Sequence, residues 1–105
     1  MVITFTKDYL KELYQDGKSS DKKHRFQPEI VRKYGSIIRL MQSSKNVQVL
    51  ARYGGLHYEH LSGNMEGTSS VRINGQYRIE FTETVVDGEN IATICNITEL
   101  SNHYK

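Results

Sequence analysis

The sequence has one cysteine, one proline and no tryptophan in 105 residues. A lone Cys95 cannot close an intramolecular disulfide. This argues against a small extracellular scaffold and for a reducing cytoplasm. One proline and eight glycines exclude a fibrous or disordered composition. No apolar run approaches the ~20 residues of a bilayer-crossing helix, so no membrane partner is expected. The start MVITFTKDYL has no basic stretch followed by an apolar region and does not read as a signal peptide. Glycine-rich phosphate loops, nucleophile elbows and paired cysteines are also missing, and no small-molecule cofactor is expected.

What is present is enough for one core. Hydrophobic residues make up 37% of the chain, with seven tyrosines and three phenylalanines. The length predicts one domain over residues 1–105. The net charge is only +2, but it is unevenly spread. Residues 1–50 hold ten Lys/Arg against five Asp/Glu; residues 51–105 hold four against seven. A basic first half suits a polyanion such as nucleic acid. Solvated helix faces would produce the same count.

Residues 2–5 (VITF) predict a short strand. Tyr9, Leu10, Leu13 and Tyr14 fall at helical spacing within 7–16, and Gly17 is a stop signal. Gly17–Arg25 is polar and mostly basic; it reads as an exposed loop or a polyanion contact through Lys22, Lys23 and Arg25. Pro28 opens an apolar stripe of Ile30, Val31, Tyr34, Ile37, Ile38 and Met41, predicting a helix over 28–43. Residues 46–52 predict a short helix capped by Asn46. Residues 56–67 show no period and predict an irregular segment. Strands follow near 69–74, 76–84 and 90–99, with Asn74-Gly75 as a tight hairpin turn and Asp87-Gly88 as a second turn. The fold class is α+β: a short N-terminal strand and a helical pair. A three-stranded antiparallel meander then completes a twisted sheet, with helices on one face.

Alternation along the strands sends Ile73, Tyr77, Ile79 and Phe81 to the helix side. It sends Arg72 and Arg78 outward, side by side across the hairpin. Two guanidiniums so placed suit a phosphate, which arginine grips through a planar fork; pairing with Glu80 or Glu83 is the ordinary alternative. The connecting segment carries His57, Glu59 and His60. No third ligand has metal-site spacing, so no metal is expected, and acid–base chemistry beside the arginines is the better use. At the C-terminus His103 titrates near neutral pH, and Tyr104 could stack on a base or donate a proton; a frayed end is the plain reading.

Residues 61–67 (LSGNMEG) and 69–81 (SSVRINGQYRIEF) resemble the HigB branch of the RelE-like toxins. The ending 97–105 (ITELSNHYK) fits as well, with His103-Tyr104 similar to the histidine–tyrosine end of the related YoeB toxins. The resemblance covers residues 56–105; the first half matches in layout only. It implies the RelE-like fold and a toxin held silent by a cognate antitoxin. The implied activity is a metal-independent mRNA endonuclease acting in the A site of the small ribosomal subunit. Arg78 matches the family arginine that contacts the scissile phosphate, and Arg72 a basic position on the preceding strand. Glu59 falls where YoeB has a glutamate base and some HigB proteins a histidine. His57 and His60 remain alternatives for that base. Many HigB proteins end Asp-Tyr-His where this chain has Glu99-Leu100-Ser101, and an aromatic often stands where it has Ser69.

The implied chemistry is coherent in its own right. RNA supplies its 2′-OH as nucleophile, a base takes its proton, and arginines stabilise the charge growing on the phosphate. The basic trio Lys22, Lys23 and Arg25 is expected to dock ribosomal RNA. Two alternatives stand beside this reading. One is a ParE-like inhibitor that binds DNA gyrase; the other is an inactive relative that binds antitoxin only.

Overall fold

Pro28 occupies the first turn of the longest helix, where its missing N–H breaks no hydrogen bond. Helix α2 spans Pro28–Ser43, as expected from its stripe. The computed structural model describes residues 1–86 and 92–102. Ile30, Val31, Tyr34, Ile37, Ile38 and Met41 are all buried along one side of α2. Before it, α1 spans Asp8–Asp16 and stops at Gly17, whose φ of 71° is the left-handed cap that glycine adopts without steric cost. Tyr34 ties the two helices, its hydroxyl donating to the Leu10 carbonyl at 2.8 Å. Helix α3, Val47–Ala51, is capped as expected by Asn46, whose side chain accepts from the Val49 N–H at 3.3 Å.

Among the described residues five strands share one sheet: β1 Val2–Phe5, β2 Glu59–His60, β3 Thr68–Arg72, β4 Arg78–Val86 and β5 Ala92–Ser101. Their order is β1-β5-β4-β3-β2. Strands β3, β4 and β5 form the expected antiparallel meander. Strand β1 lies parallel to β5, which the chain reaches only after the helices and the first strands of the meander. Val71, Ile79, Phe81, Cys95 and Ile97 meet Leu10, Leu13, Ile38 and Met41 in one buried cluster. Burial and the charge of Glu83 push the Cys95 thiol up to about 12, which leaves it protonated and inert.

Two features depart from the sequence reading. The hairpin is wider than a two-residue turn, since β3 ends at Arg72 and β4 begins at Arg78. The cause is Asn74, whose side-chain oxygen accepts the N–H groups of Gln76 at 2.9 Å and Tyr77 at 2.8 Å. That local acceptor closes the loop in place of a longer ladder. The second feature is β2, which lies in the stretch expected to be irregular. It consists of two residues, paired with Ser69 and Ser70. A strand that short has no period to detect, and tertiary pairing alone creates it.

Candidate active site

Arg72 and Arg78 are direct partners in the β3–β4 register, so both side chains occupy one face of the sheet. Ile73, Ile79 and Phe81 are buried on the other. The same alternation adds Ser70 and Glu80, partners across the two strands, to the arginine face. This is the division of faces that the sequence predicts.

Arg78 differs in depth. The sequence reading points it outward, yet it is only 7% exposed. Its Nε donates to Ser70 Oγ at 2.8 Å, its Nη2 donates to the His57 carbonyl, and Nη2 stands 3.6 Å from Glu59 Oε1. The covering segment comes from residues 54–60. A 3-10 turn at Gly54–Leu56 leads through His57 and Tyr58 into β2, which pairs along β3 and leaves the His57 carbonyl on the guanidinium. A planar fork of five donors is well matched to such a set of acceptors.

The base candidates separate by face. Glu59 pairs with Ser70, lies on the arginine face, and keeps its carboxylate half exposed. His57 is also there, its Nε2 3.4 Å from Arg72 Nη1. His60 is not. It pairs with Ser69 and turns to the opposite face, where its Nδ1 lies 2.9 Å from Ser69 Oγ. There Tyr58 donates to Glu83 at 2.6 Å and Ser69 donates to the same carboxylate. Burial, and then the bond to Glu83, push the Tyr58 hydroxyl well above the usual phenol range. The expected place of His60 beside the arginines is therefore corrected: successive residues of a strand point to opposite faces, and Glu59 takes the arginine side. His103 and Tyr104 lie outside the described residues; β5 brings Ser101 into register with Arg78.

The basic trio is exposed. Lys22 and Lys23 lie in a 3-10 turn, Lys22–His24, capped by Asp21, whose side chain accepts from the Lys23 N–H at 2.9 Å. The contact with His24, then that backbone bond, hold the Asp21 carboxyl below its usual range. The His24 ring stacks on Tyr9 with centroids 3.7 Å apart, and the Tyr9 hydroxyl donates to Glu99. The turn is thus anchored to β5 two residues before Ser101. Burial, then the Glu99 bond, raise the Tyr9 hydroxyl. For Glu99, burial pushes upward, but the Tyr9 hydroxyl and the Lys7 ammonium at 2.9 Å outweigh it and hold the carboxyl low.

Two contributors escaped the sequence reading. Ser70 is legible in principle, since it stands two residues before Arg72 on a strand and must share its face. Tyr9 is not: its link to Glu99 spans 90 positions, and only its burial marked it. Among the described residues no group of three or more His, Cys, Asp or Glu side chains is placed to hold a metal ion. No helix among them is long and apolar enough to cross a membrane.

Comparison with known proteins gives the family and the fold. The family model of the RelE-like toxin of type II toxin-antitoxin system HigB matches residues 3–94. Toxin HigB-1 of Vibrio cholerae serotype O1 is 33% identical over 86 residues, covering 77% of this chain and 82% of that protein. Among solved structures, a YoeB/ParE toxin from Agrobacterium tumefaciens superposes with a TM-score of 0.58 at 21% identity, over 99% of this chain and 100% of that one. A YoeB-YefM complex from Staphylococcus aureus gives a TM-score of 0.48 at 26% identity, over 99% and 98% of the two chains. A family match over most of the chain, on a sheet that pairs two arginines across one hairpin, leads to one conclusion: this chain belongs to the HigB-like toxins, the RelE-like family of type II toxin–antitoxin systems.

Proposed function

We propose that the chain is a ribosome-dependent mRNA endonuclease that a cognate antitoxin holds silent. One observation carries this reading. Arg72 and Arg78 are paired on one sheet face, with the Glu59 carboxylate 3.6 Å from the Arg78 guanidinium. Phosphate ligands beside a proton acceptor are what RNA cleavage needs. Glu59 takes the proton of a ribose 2′-OH. The freed oxygen attacks the adjacent phosphorus, and the bond to the 5′-oxygen of the next nucleotide breaks. A 2′,3′-cyclic phosphate and a 5′-hydroxyl result. The guanidiniums stabilise the charge that grows on the phosphate oxygens. His103 is assigned to protonate the departing oxygen and Tyr104 to position a base, both from their sequence positions after Ser101, the register partner of Arg78. The nucleophile comes from the substrate, so RNA is cut and DNA is not. Messenger RNA on ribosomes places the action in the cytoplasm.

The test is mRNA cleavage mapped on translating ribosomes, with gyrase supercoiling assayed alongside. The expected result is cleavage within the A-site codon and normal supercoiling. Blocked supercoiling without cleavage would overturn the reading in favour of a gyrase-binding toxin. Silence in both assays would favour an inactive antitoxin binder.

Docking is assigned to Lys22, Lys23 and Arg25, three exposed cations beside the end of β5. Neutralising all three to glutamine is expected to weaken ribosome association. The plot of log affinity against log salt should flatten by up to about two to three counterions. Sedimentation with ribosomes across a salt series measures it. An unchanged slope would move the docking surface elsewhere.

A further inference from the structure

His57 is the one non-glycine residue with a positive φ among the described residues, at 42°. It ends the Gly54–Leu56 turn, its N–H donating to the Gly54 carbonyl at 3.3 Å. Glycine or asparagine fills such a left-handed position with less strain. Such a position is uncommon for a non-glycine residue, though histidine is among those that adopt it most readily, and at His57 it coincides with two contacts to the arginines. The His57 carbonyl accepts from Arg78 Nη2, and its imidazole Nε2 faces Arg72 Nη1 at 3.4 Å. A guanidinium only donates, so the His57 carbonyl accepts from Arg78, and Nε2 accepts from Arg72 in the tautomer that leaves its lone pair free.

We propose that His57 is a positioning residue that bridges the two arginines, backbone to Arg78 and side chain to Arg72. Arg72 and Arg78 are direct register partners, so their positive charges lie side by side on one face. Like charges so placed repel, and an acceptor between them offsets that repulsion. Arg78 has further anchors in Ser70 Oγ at 2.8 Å and Glu59 Oε1 at 3.6 Å. Arg72 is less held. Its other neighbour is the hairpin turn, where a side chain added at Gly75 would come within 3.7 Å of its Nη2. Among the described residues the His57 imidazole is the side-chain acceptor that fixes it. The left-handed backbone lets one residue present its carbonyl to one arginine and its ring to the other.

The bridge is a structural statement; its role in cleavage rests on the nuclease reading above. The experiment separates the two. Four variants are compared with wild type: His57→Gly, His57→Asn, Arg72→Ala, and His57→Gly with Arg72→Ala. His57→Gly suits the left-handed backbone and keeps the carbonyl, so its melting temperature should not fall. Its single-turnover rate on saturating programmed ribosomes should fall about 10- to 100-fold, the cost of a misplaced group. His57→Asn tolerates the same backbone and restores a side-chain acceptor, so most of the rate should return. Arg72→Ala should lose at least as much as His57→Gly, and the double variant no more than Arg72→Ala, since both act through one group. Independently of activity, the guanidinium N–H signals of Arg72 in 15N spectra should be protected from exchange in wild type and His57→Asn, and lost in His57→Gly. Unchanged Arg72 signals would overturn the bridge even in a chain that cleaves nothing. Altered signals with a wild-type rate in His57→Gly, or losses that multiply in the double variant, would overturn the positioning role. Absence of cleavage by wild type would strike the nuclease reading, with the bridge still judged by the spectra.

Discussion

Phe81→Ala is expected to cost about 3–5 kcal/mol of stability, the range for deleting a buried aromatic ring. The ring is fully buried, on a strand with neighbours on both sides. Ile97 faces it across β5 and Ser69 across β3. Tyr58 stacks against it with centroids 6.3 Å apart, and α1 and α2 close the cluster from above. Close-packed cores relax only partly around a deleted ring, so a cavity persists and adds to the lost transfer energy. Chains of this size are stable by about 5–15 kcal/mol, so the variant loses a large share of its margin. Urea unfolding should show the midpoint shifted far toward water, and the melting temperature should fall by more than about 10 °C. Phe81→Leu keeps most of the volume and should lose about half as much or less. A midpoint for Phe81→Ala within the error of wild type would mean that the inner face of β4 is not where this fold is held.

The inner face of β4 was open to sequence reading, and the contrast with the rest is instructive. Pro28 at a helix start, Asn46 at a cap and Gly17 at a stop act on neighbours within one turn, and each stands where local chemistry puts it. The alternation of Arg78, Ile79, Glu80 and Phe81 assigns faces without knowing what covers them. The depth of Arg78 did not follow, because it is set by the His57 carbonyl, 21 residues away. That segment owes its course to a two-residue strand invisible to any periodicity. The same strand decides between neighbours: once Glu59 and His60 are strand residues, one must face the arginines and the other must turn away. Tyr9 is the extreme case. Its hydroxyl receives the Leu100 N–H at 3.4 Å, beyond the point where β1 stops pairing with β5, and no local signal marks a helix residue that caps a distant strand.

The depth of Arg78 changes what its replacement should do. Sequence alone treats it as an outward side chain, and the loss of such a side chain ordinarily costs the fold little. In the structure its removal strands a fully buried Ser70 hydroxyl and the His57 carbonyl. Arg78→Ala is therefore expected to destabilise by about 1–3 kcal/mol, the cost of leaving buried polar groups without a partner, and to loosen the 54–60 segment. Its effect on cleavage should be larger. Loss of a preorganised donor aimed at developing charge costs about 10²–10³ in rate, or about 3–4 kcal/mol of barrier. Arg78→Lys tests the two roles separately. It keeps the positive charge but replaces a planar fork with a point donor that cannot serve Ser70, His57 and a phosphate together. Its melting temperature should lie between those of wild type and Arg78→Ala, while its cleavage rate should stay near that of Arg78→Ala. The measurements are thermal melts and single-turnover cleavage of mRNA on programmed ribosomes, at a temperature where all three proteins are folded. A folded Arg78→Ala that cleaves at the wild-type rate would remove this arginine from the chemistry and leave it the structural anchor of the β2–β3 edge.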